Sequence, residues 1–255
     1  MTLRALSTEI TACRRCARLV RCREAIAKDP PKRHAGETYW AKAVPGFGDP
    51  AARLLVVGLA PAANGANRTG RVFTGDRSGD WLYAALHRAG YANQPTSSSR
   101  EDGLVLADAY VACIVRCAPP DNKPTPVERN RCVPYFAREL ALLANVRAVI
   151  ALGAFAWDGF LLAAQANGHA VARPTNVAAS SNTQEPIARP KNTHKPIARP
   201  KFSHGRIERV GPYTLVGSYH VSQQNTFTGR LTEPMLDRVF RSAREAAAEP
   251  VPRSA

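Results

Sequence analysis

Leu54-Leu55-Val56-Val57-Gly58-Leu59 is a continuous apolar run that empties into a segment of glycines and small polar residues. A run that is apolar at every position, not every second one, is the pattern of a parallel strand covered on both faces. Three more runs read the same way: Tyr110–Val115, Ala148–Leu152 and Tyr213–Ser218. Helical patterns separate them. Trp81, Leu82, Ala85, Leu86 and Ala89 recur at helical spacing after Ser78, a candidate N-cap. Thr125-Pro126-Val127-Glu128 forms a capping box with proline at the first helical position, opening a helix to about Leu143. A third helix is expected over Phe155–Ala166. A last one, capped by Thr232 and carrying Leu236, Val239, Phe240 and Ala243, ends near Pro250. Strands alternating with helices predict a single α/β domain over 1–255 with a mainly parallel sheet.

The chain of 255 residues is long enough for one well-filled core, and 45% of it is apolar, as in a globular protein. The longest apolar stretch, Ala148–Trp157, is too short to cross a bilayer, and the N-terminus lacks the apolar region of a secretory signal. A cytoplasmic location is expected, which argues against reading the six cysteines as disulfides. The net charge is +15 and unevenly spread. Residues 1–33 carry nine Arg and Lys against three acids, and residues 170–210 carry eight against two. Clustered positive charge suits a phosphate backbone, whose counterions are released on binding. Residues 170–204 contain Pro-Ile-Ala-Arg-Pro-Lys twice, at 186–191 and 196–201. Two copies are too few for a solenoid, and the composition predicts a mostly disordered basic insertion.

Cys13-Arg14-Arg15-Cys16 and the pair Cys117 and Cys132 could place four thiolates around one point. Soft thiolate sets suit zinc or an iron–sulfur cluster. Zinc ribbons repeat a short C-x2-C knuckle on both sides, and the wide second pair breaks that symmetry, favouring a cluster. A zinc staple, or four unrelated reduced thiols, remain the alternatives. Cys113 lies inside an apolar run and reads as packing; Cys22 is a spare.

The first run leads into GLAPAANGANRTGRVFTGD, from Gly58 to Asp76. This is neither a P-loop nor a dinucleotide fingerprint, although a polar loop after a strand suits a ligand site. It resembles the first motif of the type-five uracil-DNA glycosylases. CAPPDNKPTP, from Cys117 to Pro126, resembles that family's second region, and Ser218–Thr232 resembles its third. The related type-four enzymes have glycine where Asp76 stands and an acid near Leu59, so type five fits better.

The resemblance implies a four-stranded parallel sheet flanked by helices and a 4Fe–4S cluster on Cys13, Cys16, Cys117 and Cys132. It also implies monofunctional hydrolysis of the N-glycosidic bond of uracil, or of another damaged base, leaving an abasic site. Phe73 matches the family's stacking aromatic, and Ala60 and Asn64 are expected beside the base. Several relatives carry His in place of Asn64, so the substrate range is open. Asn122 would line the pocket. Cleavage builds cation character on the sugar and anion character on the departing base, and both can be stabilised electrostatically. Asp76 would face the sugar and orient or deprotonate water; taken alone, an Asp before a helix is a capping residue. His220 would donate to the base as charge grows there, for which a neutral imidazole suffices. With one acid in the leading motif, a paired-carboxylate mechanism is disfavoured. Asn67, Arg68 and Arg71 are expected to touch phosphates or pocket walls. Gln224 and Phe227 are candidates for filling the gap left by the flipped base.

The expected partner is double- or single-stranded DNA bearing damaged bases, met by a monomer without membrane contact. The rival readings are a non-catalytic iron–sulfur nucleic-acid-binding protein on the same fold and a zinc-stapled hydrolase.

Overall fold

The computed structural model describes residues 1–169 and 200–248. In chain order the first half comprises α1 (Leu3–Thr11), α2 (Ala17–Lys28), β1 (Phe47–Gly48), β2 (Leu54–Gly58), α3 (Ala66–Thr69), α4 (Arg77–Arg88) and β3 (Ala109–Cys113). The second half comprises α5 (Pro126–Leu142), β4 (Ala148–Leu152), α6 (Ala154–Ala166), β5 (Ile207–Val210), β6 (Tyr213–Ser218), α7 (Gln223–Phe227) and α8 (Glu233–Ala248).

The strands form one sheet in the order β1-β3-β2-β4-β6-β5. Its four central members, β3, β2, β4 and β6, run parallel and are buried at every position, as their unbroken apolar runs require. The expectation of four strands is corrected to six among the described residues, because β1 and β5 add antiparallel edges to β3 and β6. β1 has two residues, and β5 (Ile-Glu-Arg-Val) exposes most of its length, so neither carries the apolar signature.

Successive side chains along each strand serve opposite layers. Leu54, Val56, Val111 and Ile150 pack with Leu82, Leu86, Leu236 and Phe240 from α4 and α8. Leu55, Val57, Ala112 and Val149 pack with Phe136, Leu140, Trp157 and Phe160 from α5 and α6. A third cluster at one end holds Leu6, Ile10 and Leu19 of α1 and α2 against Val115, Cys117 and Tyr135. The basic segment 1–33 is thus largely two packed helices.

The capping box of α5 forms as expected: Thr125 Oγ1 accepts from the Glu128 N–H at 3.2 Å, and the Thr125 N–H donates to Glu128 Oε2 at 2.7 Å. The cap of α4 is Asp76, two residues before Ser78, and its Oδ1 accepts from the Gly79 N–H at 3.0 Å. α8 has the expected buried stripe; the region toward Pro250 lies outside the described residues. Most of the basic insertion, 170–199, lies outside them too. Residues 200–204, expected within that disordered stretch, are packed: Trp157 Nε1 donates to the Pro200 carbonyl at 2.7 Å, and His204 stacks on Tyr219 with centroids 4.8 Å apart.

Candidate active site

Parallel strands deliver their following loops to one edge of the sheet, and there residues of the first and third motifs meet. β2 ends at Gly58, where an added Cβ would stand 2.5 Å from Phe73 Cζ. The phenyl ring therefore lies directly over the end of the strand. Phe73 itself takes φ +51, a left-handed conformation costly for an aromatic residue and of the kind found at working sites. Its ring faces that of His220, which follows β6, with centroids 6.0 Å apart and planes tilted by 35°.

Asp76 closes the same loop. Its Oδ1 caps α4, and its Oδ2 lies 1.8 Å from where a Cβ on Gly65 would be. Burial pushes the carboxyl above its ordinary value, opposed by the backbone N–H groups of Gly79 and Ser78. Burial pushes the His220 imidazole down to about 4, so the ring is neutral at pH 7. Asn225 Nδ2 holds the His220 carbonyl at 2.8 Å, whereas neither ring nitrogen has a hydrogen-bond partner among the described residues. The imidazole thus keeps one N–H free. This edge of the sheet therefore carries an aromatic face, a carboxylate and a neutral donor.

Asn64 enters through its neighbours. Tyr39 Oη donates to Asn64 Oδ1 at 2.9 Å, leaving the amide nitrogen free to donate. Tyr39 was invisible in the sequence because it lies outside all three motifs. Ala60 is half-buried and packs against the cluster of Leu6, Ile10, Leu19, Val115, Cys117 and Tyr135.

The expectation that Asn67 and Arg71 reach DNA phosphates is corrected. Asn67 is wholly buried and donates to the Arg23 carbonyl at 3.2 Å. Arg71 is also buried, donating to Thr74 Oγ1, Ser97 Oγ and Asp102 Oδ2 at 2.9, 2.9 and 2.6 Å. Arg68 spends its guanidinium on the Asn64 carbonyl at 2.8 Å, Glu37 at 2.6 Å and the Gly75 carbonyl at 3.1 Å. These polar side chains, which a sequence cannot tell from surface contacts, stitch the loop into one shape.

Asn122 sits in an exposed turn where Asp121 and Asn122 both take positive φ, 53 and 56. Its side chain makes no hydrogen bond among the described residues, and α2 braces the turn: Arg18 donates to Glu128 at 2.8 Å and to the Lys123 carbonyl at 3.0 Å. Gln224 and Phe227 project from α7. Phe227 is 66% exposed, and the Arg77 guanidinium lies 5.3 Å from its ring centre. That contact sets α7 beside the residue following Asp76.

Cys13, Cys16, Cys117 and Cys132 line a single cavity with Arg15, Arg116, Arg131 and no acidic side chain. Arg23 Nη1 donates to Cys117 Sγ at 3.0 Å. Burial pushes the Cys117 thiol up to about 11 and that of Cys132 up to about 12. No group of three or more His, Cys, Asp or Glu among the described residues is disposed to hold a single metal ion. Cys113 is buried within β3, as expected.

Residues 45–244 match the family model of the uracil DNA glycosylase superfamily. A type-5 uracil-DNA glycosylase of Mycobacterium bovis is 46% identical over 244 residues, covering 95% of this chain and 81% of that protein. One of Thermus thermophilus is 43% identical over 93% of this chain and 95% of its own length. A type-4 uracil-DNA glycosylase of Pyrobaculum aerophilum is 33% identical over 45% of this chain and 51% of its own.

Proposed function

This chain belongs to the uracil-DNA glycosylase superfamily, and we propose that it acts as a type-five member with Phe73, Asp76 and His220 as its working side chains. It excises uracil from DNA in base excision repair. The target base cannot be reached inside a duplex and must first be extruded. The Phe73 ring then stacks on the pyrimidine. As the C–N bond lengthens, its electron pair leaves with the base and the sugar carbon becomes cationic. Asp76 carries the charge that stabilises this cation and holds the attacking water. The neutral His220 donates to the oxygen on which negative charge collects. Water adds to the sugar carbon and gives up a proton, which ends on the departing base anion, and an abasic site remains.

The observation that supports this reading is the Phe73 ring facing His220 from a separate motif, with Asp76 closing the loop that carries Phe73. A uracil-containing duplex treated with the protein and then alkali should be cut at the uracil. An intact strand, where a control glycosylase cuts, would overturn the assignment. Range beyond uracil turns on Asn64, whose amide nitrogen can reach a base edge; a panel of deaminated and oxidised bases reads it. Asn122 would complete the pocket when DNA closes its turn, and Phe227 would enter the gap in the stack. We read the protein as a monomer acting on duplex or single-stranded DNA.

We also propose that Cys13, Cys16, Cys117 and Cys132 hold a 4Fe–4S cluster. In support, four thiols from distant segments share one cavity that basic side chains surround, as an anionic cluster requires. Bound there, it would tie α1, α2 and α5 together and so brace the Asn122 turn through Arg18.

A further inference from the structure

We infer that a groove between α1 and the Trp40–Pro45 segment, separate from the base pocket, holds the phosphodiester backbone of a DNA strand that flanks the lesion. The inference rests on the glycosylase reading for its ligand. The groove encloses about 570 Å3, within the range of binding sites, and no carboxylate lines it. Its cations are Arg4, Arg14, Arg23, Lys42 and Arg100. Clefts lined by one sign of charge focus potential and concentrate the opposite charge.

Among the described residues nine arginines pair with acids, and of the groove's cations only one does. Arg14 pairs with Glu24 at 2.5 Å. Arg4, Lys42 and Arg100 are exposed and have no acidic partner among the described residues. Arg23 also lines the groove but is buried, and its Nη1 and Nη2 donate to Cys117 Sγ and the Cys13 carbonyl at 3.0 and 3.1 Å, so it adds charge there without reaching a ligand.

Trp40 organises the free charges. Arg100 lies 4.5 Å from its ring centre and Lys42 5.5 Å. The indole is fixed by its own N–H to the Ala43 carbonyl at 3.2 Å, and its backbone N–H donates to the Arg68 carbonyl at 2.9 Å. The Arg68 side chain in turn holds Asn64 and Gly75 of the catalytic loop. Arg68 therefore links the loop that carries Phe73 and Asp76 to Trp40 in the groove. With its ring already attended by two cations, Trp40 is not a free stacking platform, so phosphate, not a nucleobase, is the chemistry recognised.

The test uses the full chain and a triple variant, Arg4→Gln, Lys42→Gln, Arg100→Gln. Affinity for duplexes containing a non-cleavable abasic analogue is followed against salt, on a long duplex of about 30 base pairs and a short one of about 10. On the long duplex the slope of log affinity against log salt should fall by about 2 to 3, near one per lost phosphate contact. On the short duplex both proteins should match, and both should excise uracil at equal saturated rates. Each single variant should lower the long-duplex slope by about 1, which covers the case of a misfolded triple. Equal slopes on the long duplex overturn the inference. So does pyrophosphate binding to the wild type together with equal slopes, which would mark a small-anion site. Absence of uracil excision by the wild type would sink the glycosylase reading alone, since the slopes need no cleavage.

Discussion

The Asp76 carboxylate occupies the space in which a side chain on Gly65 would begin, with Oδ2 1.8 Å from the ideal Cβ position. Gly65→Ala must therefore displace the carboxylate or the loop. Misplacing a reacting group by about 1 Å can cost about 100-fold in rate. Single-turnover uracil excision should fall by roughly that factor while the protein still binds DNA. Unchanged turnover would show that the carboxylate position does not matter.

Asp76 caps α4 and, in the proposed mechanism, carries the charge of the reaction, and two substitutions separate the roles. Asn is as good an N-cap as Asp, so Asp76→Asn should melt within a few degrees of wild type yet lose most of its turnover. Asp76→Ala should lose about 1 kcal/mol of stability in addition. Equal activity of the wild type and Asp76→Asn would reduce Asp76 to a cap.

Two titrations fix the acid behaviour. Asp76 is raised above its ordinary value and, in the proposed mechanism, must be ionised to work; His220, held at about 4, is neutral at pH 7 and still donates. The requirement on Asp76 is met on the alkaline side of its value, so the excision rate should rise with pH and then level, with no alkaline limb from either group. Stability has its own signature. His220 takes a proton near 6.5 when unfolded but only near 4 when folded, so its contribution is complete above 6.5 and is lost as pH falls toward 4. Asp76 acts oppositely, from 3.8 up to its raised value. Denaturation midpoints at pH 7 and pH 5 should differ less in His220→Asn than in wild type; an identical difference refutes the assignment.

Arg71 separates a structural role from a DNA-contacting one. Burial alone would raise the Asp102 carboxyl, but Arg71 and the backbone N–H groups of Leu104, Ser98 and Ser99 hold it at about 2. Removing one member of such a pair leaves a buried charge unmatched. Arg71→Met should cost about 3 kcal/mol in chemical denaturation, with the salt dependence of DNA binding preserved. A changed salt slope at full stability would restore it to the DNA interface.

The cysteine cavity makes a compositional prediction. Protein purified under nitrogen should be brown, with iron and acid-labile sulfide in equal amounts. Cys117→Ala should lose both and unfold more readily, since ligation and folding are linked. A colourless protein with one zinc would replace the cluster by a staple.

Much of this was legible in the residues, for identifiable reasons. β2, β3, β4 and β6 announced themselves because burial on both faces leaves no polar position. β1 and β5 did not, being edges that are short or largely exposed. Phe73, Asp76 and His220 stood in motifs and could be named, but their mutual approach depends on strand order, which no local pattern records. Arg71 and Asn67 misled because a polar residue in a loop looks the same whether it faces water or the interior. Ser78 looked like the cap of α4, and the chain used the acid two residues earlier. Residues 200–204 shared the composition of the insertion, yet Trp157 and Tyr219 offered them partners.

Because one oxygen of Asp76 is tied to the first turn of α4, the enzyme has a thermal fuse. That turn is the part of a helix that frays first, and its fraying would swing the acid out of register while the sheet remained intact. Heat should silence the reaction several degrees before the molecule melts, and cooling should restore it without any refolding lag.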